Sequence, residues 1–256
     1  MNPANAHTSL QAHVREIDRC NQRGGRMLSL IDLLDAGSVD PPLAAYLAAA
    51  MRNGASLLVG ARPGGAGKTA VMCALLNFLP DETAICPVAD PAVLAHGLQD
   101  TETGRTCYLA HEIGAGFWYA YVWGEQARAF FQLAANGHIL ASNLHADTLP
   151  QAQTQLCEEN GVPRAHLDAV RLKVFLGMAR GPRGSVRRWV RRVYENDGTG
   201  DRLLVERMRD GSVRQVSESA IVARAQEAEY ATFLAELHGQ GRRSIEEVRR
   251  ALLARG

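Results

Sequence analysis

The sequence predicts an α/β protein with a mostly parallel sheet, and three observations carry that expectation. Short apolar runs near 83–89, 106–110 and 138–143 alternate with helical stretches near 67–79, 124–136 and 150–159, which is how strands of a parallel sheet and their covering helices follow one another. Ahead of them, Ala55-Ser56-Leu57-Leu58-Val59-Gly60 forms one more short apolar strand and runs directly into a glycine-rich turn. After about residue 170 the pattern becomes β-rich, with turn signals at Gly181-Pro182, Asn196-Asp197-Gly198 and Asp210-Gly211, before helices at about 218–238 and 243–254 close the chain.

Taken in order, residues 1–26 are polar, with one weak helical stripe at Leu10, Val14 and Ile17 and a Gly24-Gly25 hinge, and read as a flexible N-terminal arm. A better-marked helix follows: Asp40 can cap it, Pro41 and Pro42 suit its first turn, Ala44 to Met51 form its body and Asn53-Gly54 stop it. It leads into the strand before the glycine-rich turn. The expected organisation is thus an arm over 1–26, an α/β core over 27–180 and a C-terminal extension of β-hairpins and helices over 181–256.

Composition limits what such a fold can do. Of 256 residues, 28 are Lys or Arg and 27 are Asp or Glu, a formal net charge of +1, so the chain does not hold nucleic acid by bulk positive charge. Cysteines at 20, 73, 86, 107 and 157 form no C-x-x-C pair, which points away from a disulfide framework or a zinc site and towards a reducing cytoplasm. The longest apolar run, Leu43 to Met51, is too short to cross a bilayer, and the N-terminus has no signal-like apolar core. A role at a membrane would therefore be peripheral, at its inner face, through docking to a partner.

The glycine-rich turn carries the first chemistry. Between Gly60 and Thr69 the chain reads Gly-Ala-Arg-Pro-Gly-Gly-Ala-Gly-Lys-Thr, the pattern of the phosphate-binding loop of a P-loop NTPase. Glycines let the backbone curl tightly enough to aim several N–H groups at one anion. Gly64, Gly65, Ala66, Gly67, Lys68, Thr69 and Ala70 would cradle the phosphates of ATP, Lys68 neutralising the β- and γ-phosphates and the Thr69 hydroxyl ligating Mg²⁺. The apolar run Val71 to Leu76 continues as a buried helix whose N-terminus adds anion affinity, and Pro80 ends it. Arg62 stands where the pattern has its first glycine, with Gly60 two residues earlier.

Hydrolysis also needs a carboxylate at the end of a neighbouring strand, to orient water and support the metal shell. Two qualify. Thr106 to His111 is a buried-strand pattern ending in Glu112, and Tyr119 to Gly124 leads to Glu125 in the same way. Glu125 opens a helix, where a glutamate is favourable simply through the helix dipole, so Glu112 is preferred as the catalytic carboxylate.

The segment Ala134-Ala135-Asn136-Gly137-His138-Ile139-Leu140-Ala141-Ser142-Asn143-Leu144-His145-Ala146-Asp147 resembles the histidine box of the type II and type IV secretion and pilus-motor ATPases. Its Gly-His and Leu-His pairs stand at the family's separation. Thr83 to Pro91 is similar to that family's aspartate box, with Asp90 and Pro91 matching and Ala89 in place of the glutamate. The resemblance covers about Leu28 to Arg180. It implies a RecA-like core, a role for His145 in coupling nucleotide state to the following loop, help from Asp90 at the metal, a hexameric ring with ATP at subunit boundaries, and work on a membrane platform of a secretion or pilus system. His138 reads as a structural hydrogen-bonding histidine.

The departures matter as much. The family's Gly-Glu-x-Arg-Asp lacks its arginine here, and His111-Glu112-Ile113 is followed by an extra stretch, Gly114 to Trp123, rich in glycine and aromatics. Little precedes the loop strand, so the family's N-terminal domain is expected to be missing or reduced to the arm. Arginines for a neighbouring subunit's site could come instead from Arg180, Arg183, Arg187, Arg188, Arg191 or Arg192, a cluster that also suits the solvated face of a hairpin. Two alternatives to the motor stay open: a nucleotide-binding switch or scaffold with little hydrolysis, and a nucleic-acid translocase using the same arginines with Trp189 as a stacking partner.

Overall fold

The computed structural model describes residues 3–21, 24–99, 105–208 and 210–255, the side chains of 3–9 and of Arg183 excepted. Its strands are β1 (Leu57–Gly60), β2 (Ile85–Pro87), β3 (Cys107–Ile113), β4 (Tyr121–Val122), β5 (Ile139–Leu144), β6 (Leu172–Arg180), β7 (Val186–Asn196), β8 (Asp201–Arg207) and β9 (Val213–Gln215). The helices are α1 (Pro3–Arg19), α2 (Leu30–Asp35), α3 (Pro41–Arg52), α4 (Lys68–Leu76), α5 (Pro91–Gln99), α6 (Glu125–Ala135), α7 (Leu149–Gln153), α8 (Arg164–Asp168), α9 (Arg224–Gly239) and α10 (Ile245–Leu253).

Among the described residues the strands join in one sheet of order β2-β3-β5-β1-β6-β7-β8-β9, with β4 pairing on the end of β3. β2, β3, β5, β1 and β6 are parallel, and β6 to β9 continue as an antiparallel meander. This is the mixed α/β architecture with a mostly parallel sheet and C-terminal hairpins and helices that the alternation of apolar and helical segments implies. β1 lies between two parallel neighbours, Leu57 level with Ala141 of β5 and Leu172 of β6.

Residues of the central strands alternate between two cores, as the period of two requires. Leu57, Val59, Leu109, Ala141 and Val174 face one core, with α1 to α4, α9 and α10, and Leu58, Tyr108, Leu140 and Phe175 face the other, with α5 to α8. Each layer has its own anchors. Asp40 accepts from Leu43 N at 3.0 Å to cap α3 behind Pro41 and Pro42, as the sequence suggests. Arg249 of α10, itself 2% exposed, donates to the carbonyls of Asn77, Leu79 and Pro80 and so anchors the segment that follows α4.

Several local features differ from the sequence reading or add to it. The weak stripe on residues 1–26 is the inner side of α1, where Leu10 and Ile17 are buried and Val14 packs on the same core. Cys20 then places its Sγ 3.4 Å from Nε2 of His111 on β3. Ser29 and Asp32 form a capping box that starts α2, an element with too few residues to show a period. The single helix expected over 150–159 is α7 followed by a π-helical turn, Thr154–Glu159, and Gln155 within that turn donates to the Ile113 carbonyl at 2.9 Å. The expected boundary at 180/181 falls at the turn between β6 and β7, which pair from Leu172–Glu195 to Arg180–Val186.

Candidate functional site

The C-terminal ends of β1, β5 and β3 lie side by side, and the chemistry collects there, at the edge of a parallel sheet where ligands of open α/β folds bind. β1 ends at Gly60, where a Cβ would stand 2.5 Å from the Ala146 carbonyl and 2.7 Å from the Phe175 ring. Gly60 is thus required by the close approach of two neighbouring chain segments, and the loop proper starts after it. Ala61 N donates to the Leu144 carbonyl at 3.2 Å, and Arg62 N donates to Oδ1 of Asp147 at 2.8 Å, which ties the loop's entry to the segment that ends and follows β5.

Gly67 adopts φ +96°, a left-handed conformation that favours glycine, and turns the chain into α4 at Lys68. No side chain among the described residues caps that helix, so its first N–H groups remain available to an anion. Lys68 spans the loop: its Nζ donates to the Ala61 carbonyl at 3.1 Å and stands 3.5 Å from Oε1 of Glu112. His145, with its side chain about half exposed, brings Nε2 to 3.6 Å from the same oxygen. Lys68, Glu112 and His145 therefore meet, although 44 and 33 residues separate them successively in the chain.

Glu112 is 7% exposed, and burial pushes its carboxyl above the usual range while Lys68 and His145 pull the other way. Its Oε1 has no hydrogen-bond partner among the described residues. Asn143 on β5 donates through Nδ2 to the His111 carbonyl at 2.8 Å and, more weakly, to the Thr69 hydroxyl at 3.4 Å, leaving its Oδ1 buried and also without a partner. Two orphaned acceptors beside a lysine, a hydroxyl and an uncapped helix N-terminus are the arrangement expected of a site that receives a metal-bound phosphate. The chain thus fits ATP with Mg²⁺: the backbone of 64–70 and Lys68 would hold phosphate, and Thr69 would be the metal ligand.

The other expected site residues are placed as follows. Asp90 is exposed, its carboxylate accepting from Ala92 N at 2.8 Å as α5 begins, and among the described residues no hydrogen bond or ion pair joins it to the loop. Glu125 is exposed at the start of α6, away from the Lys68 pair. His138 lies at the opposite end of β5 from His145; its Nδ1 accepts from Thr106 N at 3.4 Å and its ring meets Tyr108 edge-on, in keeping with a structural histidine. Trp189 is buried, with Arg187 over its ring, and so offers no open face for a base.

No family model matches the sequence, and no curated protein matches it. Among solved structures, the fold is similar to the VirB11 ATPase from the Brucella suis type IV secretion system, in complex with sulphate, with 20% identity, a TM-score of 0.46 and coverage of 66% of this chain and 57% of that one. It is also similar to the Legionella pneumophila ATPase DotB, with 10% identity, a TM-score of 0.39 and coverage of 85% of this chain and 59% of that one. Both are ATPases. This chain spans less than two thirds of either.

Sequence reasoning missed two participants and named a third only for a neighbouring subunit's site. Asp147 acts on the loop through a backbone N–H, a contact no motif encodes. Gln155 braces the end of β3 next to Glu112 from a π-helical turn. Arg188 of β7, expected as one of several arginines for a neighbouring subunit's site, donates through Nε to the Gly65 carbonyl at 2.6 Å, reaching this chain's own loop across 123 residues of sequence.

Proposed function

We propose that this chain binds ATP with Mg²⁺ at the loop 64–70 and hydrolyses it, as a motor of the type II or type IV secretion and pilus kind. The observation that carries the proposal is the meeting of Lys68, Glu112, Thr69 and Asn143 at the ends of three adjacent strands, over an uncapped helix N-terminus. In this reading Lys68 and the loop N–H groups bind the phosphates. The metal, when present, neutralises charge on the phosphate oxygens. Glu112 orients the attacking water and takes up its proton at a carboxylate oxygen, and His145, beside the same oxygen, couples the state of Glu112 to the exposed segment after β5. The resemblance of residues 134–147 to the histidine box supports the motor assignment, the ring of six subunits and a membrane-platform partner. Among the described residues no helix is long and apolar enough to cross a membrane, so work at a membrane would go through such a partner.

A second reading, a nucleotide-dependent switch with little turnover, is favoured by one observation. Asp90, the family's remaining aspartate-box carboxylate, is engaged at the start of α5, and Ala89 supplies no replacement.

The deciding experiment is Mg²⁺-dependent phosphate release by wild type, Lys68→Ala and Glu112→Gln, with nucleotide binding measured alongside. Loss of about a hundredfold or more in both variants is expected, with Glu112→Gln still binding ATP, because loss of a preorganised group slows chemistry more than it weakens binding. Specific turnover that rises with protein concentration would support assembly. Wild-type release no faster than that of Lys68→Ala, with ATP still bound, would remove the motor and leave the switch.

A further inference from the structure

We propose that Arg188 supplies a positive charge to the terminal phosphate of a nucleotide held in the loop of its own chain, so that the site distinguishes a nucleoside triphosphate from a diphosphate. The inference rests on reading residues 64–70 as a phosphate loop and adds a residue from outside every recognisable motif.

Strand register shows why an arginine so far away in sequence reaches the loop. β1 ends at Gly60, level with Phe175 of β6. β6 runs on to Arg180 and returns as β7 from Val186, so Leu176 to Arg180 and their partners Val186 to Val190 project past the end of β1 on the side where the loop begins. Arg188, paired with Met178, lies on this overhang. Its stem passes within 3.5 Å of where a Cβ on Gly67 would stand, and its Nε donates to the Gly65 carbonyl at 2.6 Å. The guanidinium is thus fixed at the lip of the loop.

Charge accounting gives the second argument. Lys68 has Glu112 as its counter-charge at 3.5 Å. Elsewhere in the meander Arg192 and Arg214 pair with Glu206, and Arg202 pairs with Glu195. Arg188 has no carboxylate partner among the described residues, and its two Nη groups have no acceptor among them. An exposed guanidinium without a carboxylate partner, held on the loop that leads into the positive end of α4, is placed to meet an anion bound there. The guanidinium presents its remaining N–H groups as a planar fork suited to phosphate oxygens. The helix end and Lys68 take the phosphates that sit deepest, so a cation at the lip meets the outermost one.

The test measures binding of N-methylanthraniloyl-labelled ATP and ADP to wild type, Arg188→Ala, Arg188→Lys, Lys68→Ala and Arg224→Ala, each shown to be folded by its unfolding midpoint. Arg188→Ala should weaken the ATP analogue by about tenfold or more and the ADP analogue by less than about threefold, the size of one lost charge-assisted hydrogen bond. Arg188→Lys should recover part of the ATP binding, and Arg224→Ala, which removes an exposed charge at the start of α9, should change neither. Equal weakening of both analogues by Arg188→Ala would mean that Arg188 only straps the loop, and no change would mean that it does nothing there; either overturns the inference while Lys68→Ala still abolishes binding. Binding of neither analogue to wild type would overturn the phosphate-loop reading itself and this inference with it.

Discussion

The Glu112 carboxylate stands 3.5 Å from the Lys68 ammonium with no hydrogen bond of ordinary length between them, in a position where burial outweighs the lysine's attraction and raises the carboxyl's proton affinity. The sign of the resulting pH dependence is fixed. As pH rises, the unfolded chain releases this proton first, so between the ordinary carboxylate range and the raised native value the native state holds more protons and loses stability. Above that window the cost of the buried charge is fully present. Glu112→Gln is therefore expected to unfold at a higher temperature than wild type at pH 8 and to match it at pH 4, even as it loses turnover. Melting curves at the two pH values check this, and a less stable variant at pH 8 would contradict it.

Asn143 links the ends of β3 and β5 through the His111 carbonyl. Asn143→Leu leaves that buried carbonyl without a donor, so stability should fall by about 1–3 kcal/mol in urea titrations. If Asn143 also orders the space around Thr69, phosphate release should fall further than ATP affinity does. Equal losses in the two would assign it a purely structural role.

His13 gives α1 a pH-dependent grip on the core. It is 6% exposed, and burial, aided by the charge of Arg249, lowers its pKa from 6.5 to about 3 although it bonds to the Leu76 backbone. The native state keeps this imidazole neutral while the unfolded chain protonates it. Stability is expected to fall as pH drops from 6.5 towards 3, by up to about 1.4 kcal/mol per pH unit from this one group. His13→Leu, which also removes a buried Nε2 that has no partner, should flatten that part of the curve. Denaturant titrations between pH 4 and 7 provide the comparison.

Arg249 holds the far end of the loop's helix. Burial lowers its pKa to about 10, yet it remains charged at neutral pH and serves three carbonyls in the segment just after α4. Arg249→Met is expected to lower stability by about 3–5 kcal/mol, because several buried carbonyls then lose their donor. Because α4 starts at Lys68, nucleotide affinity should fall as well, and added ATP should recover part of the lost unfolding midpoint.

What was legible in the sequence was local. The glycine-rich turn reads from Gly64 to Thr69 because its glycines are contiguous, and Glu112 is preferred over Glu125 because one ends a buried-strand pattern while the other opens a helix. The alternation of strands and helices was legible for the same reason. What joins distant segments was not. Asp90 follows a strand at the expected place, yet β2 is an edge strand with β3 and β5 between it and β1, and its aspartate serves α5. Arg188 belongs to a run of arginines whose members differ only in where the register of β6 and β7 puts them. Asp147 and Gln155 act through backbone groups, which leave no trace in residue type.

β1, the shortest of the central strands at four residues, is bonded on both edges, to β5 and to β6. An amide in such a position is released only when the sheet on one side of it comes apart, so β1 should be among the last segments to take up deuterium. The exposed aromatic turn after β3, with Phe117, Trp118 and Tyr119 in solvent, belongs at the other extreme. On this expectation the loop 64–70 hangs from one of the slowest-exchanging parts of the molecule, and the turn next to Glu112 is one of the fastest. Motion in the candidate site is therefore to be sought on its Glu112 side, while the loop 64–70 stays as durable as the fold.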